Sequence, residues 1–127
     1  MAYTYGKKEK LKSRKLIEAL FAKGRSFSAF PLKVFFSIQP AESEVVLQAG
    51  VGVSARNFRK ATDRNRIKRL LREAYRLQKT ELQAVGESQQ KSLALFFLYT
   101  GKEMPEANVI QDKMRSALNK LAEQINR

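Results

Sequence analysis

The sequence predicts an α/β sandwich in which helices pack on a mixed, four-stranded-type sheet, in the order α, two or three β, α, β, α. Three observations carry this. The segment LKVFFSI after Pro31 alternates along its length, and the run LALFFLY from Leu93 to Tyr99 is apolar on both faces but too short for a good helix. Three other stretches repeat apolar residues at helical spacing.

The first ten residues are polar and basic, with Tyr3 and Tyr5 as bulky groups, and read as a mobile arm. From Ser13, a candidate N-cap, Leu16, Ile17, Leu20 and Phe21 mark a first helix that Gly24 ends. In LKVFFSI one face carries Leu32, Val34, Phe36 and Ile38, and the other Lys33, Phe35 and Ser37. A turn through QPAESE leads to VVLQAGVGVS, read as one bent strand or two short ones broken at Gly50 or Gly52 and forming a hairpin with the preceding strand. A second helix runs from a cap at Thr62 or Asp63 to about Lys79, followed by a polar loop through VGESQQK. The doubly apolar run then fills the sheet interior, parallel to an earlier strand. A final helix with Ile110, Met114, Ala117, Leu118, Leu121 and Ile125 on one stripe covers the sheet.

At 127 residues the chain has the length of one domain with one core, spanning residues 1–127. Its 25 Lys and Arg against 12 Asp and Glu leave a net charge of +13. Self-repulsion of that size opposes a compact fold unless a polyanion relieves it, so nucleic acid is the first partner to expect. The chain has no cysteine and no histidine, which removes thiol nucleophiles, imidazole acid–base chemistry and the soft ligands of a zinc site. The acids are scattered over different predicted elements and suit no metal-dependent nuclease centre of the protein's own. No apolar signal core or membrane span is present in the sequence, and a cytoplasmic setting is expected.

The stretch TDRNRIKRLLREAYR concentrates the charge, with six cations and Glu73 as the one anion between Arg64 and Arg76. At about 100° per residue, Ile67, Leu70, Leu71, Ala74 and Leu77 gather on one side, and Arg64, Lys68, Arg72 and Arg76 step along another. Like charges at i, i+4 repel by a few tenths of a kcal/mol per pair, so burial of the apolar side must hold the helix. Arginine favours bidentate phosphate contacts over simple point charge. The apolar side lacks the interfacial aromatics of a membrane-surface helix, and RNA is the expected partner.

The longer segment ARNFRKATDRNRIKRLLREAYR resembles the signature of the bacterial ribonuclease P protein family, with Arg64-Asn65-Arg66-Ile67-Lys68-Arg69 matching its RNR motif and Gly52-Val53-Ser54 its upstream strand end. The resemblance implies a protein cofactor of a ribozyme, in which the RNA subunit removes the 5′ leader of precursor tRNA by metal-assisted hydrolysis. It implies magnesium held mainly by the RNA and the substrate, no organic cofactor, and no catalytic or metal-binding side chain of the protein. The partners it implies are the catalytic RNA and precursor tRNA, with no membrane and no obligate protein partner. The family's fold implies parallel strands joined by a left-handed crossover through the RNR helix.

Residue by residue, the resemblance places Arg64, Asn65, Arg66, Lys68, Arg69 and Arg72 in the RNA-binding helix, with Arg56, Arg59 and Lys60 in the loop before it. Similarity and the strand pattern together place the leader cleft at Ile17 and Phe21 of the first helix and Lys33 and Phe35 of the first strand. Two positions depart from the family pattern. Ala55 stands where the first of two cations is common, and Ile17 where an aromatic is common. A stand-alone RNA-binding module, such as a ribosome-associated protein, is the alternative that the same charge pattern allows.

Overall fold

The computed structural model describes residues 10–11, 14–40 and 46–126. Of the ten-residue arm expected at the start only Lys10 is described, and it bridges to Ala49 instead of lying free of the sheet; residues 1–9, the Ser13 cap and most of the QPAESE turn lie outside the described residues. The elements are α1 (Arg14–Lys23), β1 (Arg25–Ala29), β2 (Leu32–Pro40), β3 (Leu47–Val53), α2 (Ala61–Gln78), α3 (Thr80–Ser88), β4 (Lys91–Tyr99) and α4 (Ala107–Ile125). One four-stranded mixed sheet runs in the order β1-β2-β4-β3.

β4 occupies the interior, as its two apolar faces require. It pairs antiparallel with β2 from Leu32↔Tyr99 to Pro40↔Lys91, and parallel with β3 from Leu47↔Leu93 to Val53↔Tyr99. The expected hairpin between the two strands before the basic helix does not form, because the doubly apolar β4 inserts between β2 and β3 and pairs with both. The hairpin that does form joins β2 to β1, which the sequence pattern missed. Phe27 is the one bulky apolar residue in that RSFSA segment, so no run of alternating apolar residues marks the strand. β3 is one continuous strand, and at its outer edge Leu11 N–H donates to Ala49 O at 2.9 Å.

Strand alternation divides the side chains between two faces. On one, Leu32, Val34, Phe36, Leu47, Leu95 and Phe97 join Ile67, Leu71 and Tyr75 of α2 and Ile110, Met114 and Leu121 of α4 in a single buried core. The other face carries a smaller cluster, in which α1 sets Leu20 and Ile17 against Phe35, Ala94, Phe96 and Leu98. The main core therefore fixes α2 and α4, while α1 covers only part of the opposite face.

Three local expectations change. α2 begins at Ala61 after Lys60 and has no side-chain cap, so Thr62 and Asp63 lie within its first turn, where Asp63 still suits the positive helix end. Leu77 is 44% exposed and Tyr75 takes its place in the core, because the buried arc centres on Ile67, Leu71 and Ala74 and Leu77 falls at its margin. The polar loop expected after the basic helix is instead α3, entered directly through Lys79. Its thin apolar side, Leu82 with Val85, packs on the core, and a Cβ at Gly86 would stand 2.6 Å from Val46 Cγ1, so glycine there permits the close approach. With α2, it forms the crossover between parallel β3 and β4.

Candidate nucleic-acid interface

On the basic side, the helical angle decides which cations reach solvent. Each four-residue step advances about 40° beyond a full turn, so the stripe drifts and Arg64 lies closer to the buried arc than Arg72 or Arg76. Arg64 is half-buried, and its Nη1 donates to the carbonyls of Phe58 and Arg59, both at 2.8 Å. That guanidinium fastens the incoming loop to the first turn of α2. Asn65, Arg66, Arg69 and Arg72 are exposed and Lys68 is half-buried.

At the far end, Arg76 forms a two-bonded pair with Glu73, Nε to Oε1 at 3.2 Å and Nη2 to Oε2 at 3.0 Å. The hydrogen bond from Arg76, with its charge, holds the Glu73 carboxyl below the usual carboxylate range against a small opposing effect of burial, so it is ionised at neutral pH. Glu73→Gln should therefore strengthen binding of an RNA to this side about two- to fivefold at low ionic strength, with the gain fading as added salt shortens the Debye length. A salt titration of RNA affinity checks this, and a gain that persists at high salt would mean a cause other than charge.

The loop at residues 54–60 presents Arg56, Arg59 and Lys60, all exposed. Its placement rests on two residues that sequence reasoning did not single out. Phe58 is buried and packs on Tyr99 with ring centroids 6.0 Å apart, and Asn57 Nδ2 donates to the carbonyls of Thr100 and Gly101, both at 3.3 Å. Burial, then the Glu103 charge, raises the Tyr99 phenol pKa, and the hydroxyl donates to Glu103 O at 2.6 Å. A lone Phe inside a basic loop was the available signal for this anchor.

On the opposite side of the sheet, the four residues expected to form an aromatic cleft come together. The Phe21 ring lies 4.6 Å from Phe35, Lys33 Nζ sits 5.3 Å from the Phe35 ring centroid, and Ile17 packs into the same cluster. Phe21 remains 46% exposed, so its ring packs on Phe35 and Phe96 on one side and is open to solvent on the other. The unanticipated member is Phe96, paired with Phe35 in the sheet and edge-on to Phe21 at 5.1 Å. Gly50 and Gly52 flank Phe96 on β3, and a Cβ at Gly52 would lie 2.8 Å from its Cζ. The expectation of a bend there gives way to a steric reason: the glycines leave room for the ring.

A groove of about 220 Å³ continues past α1 between Leu16, Leu20, Ser37 and Ala94. Leu16, expected on the buried stripe of α1, is 52% exposed at its border, because α1 has the sheet on one side only. A larger groove of about 490 Å³, bordered by Glu81 and Arg115, lies between α3 and α4 and belongs to neither surface. Among the described residues no three acids, histidines or cysteines converge into a metal-binding group, and no helix is long and apolar enough to cross a membrane.

Fold and site together define a small α+β protein that carries a one-sided basic helix on one face of a mixed sheet and a partly exposed aromatic cluster on the other. A family model described as Ribonuclease P matches residues 5–122. The chain is 33% identical over 121 residues to the ribonuclease P protein component of Porphyromonas gingivalis, covering 94% of this chain and 88% of that one. It is 42% identical over 81 residues to that of Chlorobium phaeobacteroides, covering 60% of this chain and 54% of the other. The structure of the Staphylococcus aureus RNase P protein shares the fold, with a TM-score of 0.63 at 20% identity over 91% of this chain and 95% of that one. This chain belongs to the ribonuclease P protein family.

Proposed function

We infer that the protein is the non-catalytic subunit of a ribonuclease P holoenzyme. It binds the catalytic RNA through α2 and the loop before it, and holds the 5′ leader of precursor tRNA in the cleft under α1. The observation that carries this reading is the placement of the two surfaces on opposite faces of one sheet, each tied to a different cluster of buried residues. A single rigid body can then hold two RNA segments at once.

On the first surface Asn65, Arg66, Lys68, Arg69 and Arg72, with Arg56, Arg59 and Lys60, meet backbone phosphates of folded RNA. Arg64 acts there partly by holding the loop in place. On the second, an unpaired base stacks on Phe35 beside Phe21, Ile17 adds apolar contact, and Lys33 offsets a phosphate charge, an arrangement that tolerates any leader sequence. The chain supplies no histidine or cysteine, which fits a reaction whose chemistry sits in the RNA. Magnesium in this reading is held by the RNA and the substrate. The setting is the cytoplasm, where precursor tRNA is made.

The direct test is cleavage of a precursor tRNA at low magnesium by a bacterial ribonuclease P RNA alone, by the protein alone and by the two together. Activity at the mature 5′ end only in the mixture supports the cofactor role. No enhancement by the protein would leave a stand-alone RNA binder, such as a ribosome-associated module. For the cleft, Phe35→Ala should weaken binding of precursor tRNA by about 1–3 kcal/mol and leave mature tRNA unaffected. An equal loss for both substrates would remove the leader assignment.

A further inference from the structure

Three exposed cations that belong to neither RNA surface, Arg25, Lys113 and Lys120, border the seam between β1 and α4. β1 is an outer strand of the sheet, with β2 on one side and no strand on the other among the described residues. Arg25 pairs with Phe36 and Phe27 with Val34, so both project from the face that holds the main core. The Arg25 guanidinium carbon lies 4.9 Å from the centroid of the Phe36 ring, and Lys120 Nζ of α4 lies 5.3 Å from that of Phe27. The two rings stand 5.8 Å apart. Two neighbouring rings thus carry two cations, one from the strand and one from the helix.

The spacing of α4 adds the third cation. At about 100° per residue, Arg115 and Asn119 flank the buried arc on the side of α3, and Lys113 and Lys120 flank it on the opposite side, toward β1. Lys113 stands about two turns before Lys120, about 10 Å along the axis. The acids of this helix, Asp112 and Glu123, fall on its outer arc, and Asp112 engages Arg115 at 3.6 Å. Among the described residues neither Arg25 nor Lys120 forms an ion pair.

A cation resting on a ring is held in place without being neutralised. An arriving anion therefore meets charges that are already positioned, and the guanidinium fork suits a phosphate. The rings themselves are closed to a base, because Phe36 is buried and Lys120 lies over the half-buried Phe27. The seam therefore suits the backbone of an RNA and offers no stacking platform, unlike the cluster around Phe35.

We propose that the seam between β1 and α4 is a third RNA-binding surface, at which Arg25 and Lys120, with Lys113 beside them, hold backbone phosphates of the catalytic RNA. The catalytic RNA is the source because the seam shares its face of the sheet with α2, whereas the leader cleft lies on the other face. Packed helices lie about 8–10 Å apart, so an RNA segment resting on α2 reaches the seam by crossing α4 alone. The proposal rests on the subunit reading above and extends its first surface to residues outside the RNR signature.

The test is filter binding of the full chain to a bacterial ribonuclease P RNA across a salt series, followed by binding of precursor and mature tRNA to the assembled holoenzyme. It compares the double variant Arg25→Gln, Lys120→Gln with the double variant Arg25→Met, Lys120→Met, the exchange Arg25→Lys, Lys120→Arg, and the α2 variant with Lys68, Arg69 and Arg72 all changed to glutamine. Methionine keeps an apolar stem over each ring and removes only the charge. Both uncharged pairs are expected to bind the RNA about 10- to 30-fold more weakly at physiological salt and to flatten the slope of log affinity against log salt by about 1.5. The charge-preserving exchange should keep the wild-type slope and bind within about threefold of wild type. Wild-type affinity and slope in both uncharged pairs, beside a loss in the α2 variant, would overturn the seam alone. Wild-type values in the α2 variant as well would overturn the subunit reading with it. A loss in the glutamine pair that methionine repairs, or one at unchanged slope, would reduce the cations to covers for the rings and overturn the proposal. Normal assembly with weakened binding of both tRNAs would give the phosphates to the tRNA and overturn the assignment to the catalytic RNA.

Discussion

Exchanging Lys68, Arg69 and Arg72 together for glutamine is expected to weaken binding to the catalytic RNA about a hundredfold at physiological salt, with a melting temperature close to wild type. Each phosphate neutralised by a cation contributes about −0.7 to −0.9 to the slope of log affinity against log salt, so losing three flattens the slope by about 2 to 3. Stability is spared because Arg69 and Arg72 are exposed and Lys68 is half-buried, while Ile67, Leu71, Ala74 and Tyr75 anchor the helix from its other side. Removing the Lys68 to Arg72 repulsion at i, i+4 even favours the helix by a few tenths of a kcal/mol. Filter binding across a salt series measures the slope. An unchanged slope would mean that the RNA meets the protein elsewhere. Arg64 is left out of this set because its bonds to Phe58 O and Arg59 O give its loss a structural component.

Phe97→Ala is expected to lower the unfolding free energy by about 3–5 kcal/mol, a large part of the about 5–15 kcal/mol that holds an ordinary domain. Phe97 has no exposed surface, lies on the central strand between Val34 and Val51, and its ring stands 5.6 Å from Tyr75. It is therefore one of the residues through which the sheet and the basic helix share a core. Truncation there removes apolar contacts and leaves a void that the flanking strands cannot close, since both are fixed by ladder hydrogen bonds. Urea unfolding followed by circular dichroism reads the loss as a lowered midpoint at constant slope. Under conditions where the variant is still folded, RNA affinity should match wild type, because no surface group has changed. Reduced affinity of the folded variant would mean that Phe97 positions α2 more finely than packing alone requires.

The chemistry of the basic helix was legible in the chain because it is local. Helical spacing places Ile67, Leu71 and Ala74 on one side and most of the cations on others, whatever the rest of the molecule does. The same holds for LKVFFSI, whose alternation separated Lys33 and Phe35 from the core side, and for LALFFLY, whose two apolar faces required an interior strand. The net charge of +13 points to a polyanionic partner, and the absence of histidine and cysteine points away from imidazole and thiol chemistry, whatever the fold.

Strand pairing was decided only in three dimensions. The short connection between β2 and β3 suggested a hairpin, yet β4 separates them, because an interior strand with two apolar faces gains more between two neighbours than at an edge. That insertion brings Phe96 beside Phe35 and under Phe21, and gives Gly50 and Gly52 their steric role beside its ring. It also brings Asn57 to the end of β4, which fixes the loop that carries Arg56, Arg59 and Lys60. Sequence alone thus determined what each segment could touch, through spacing and charge. Which segments meet was settled by the competition of strands for the centre of the sheet, a contest between residues far apart in the chain.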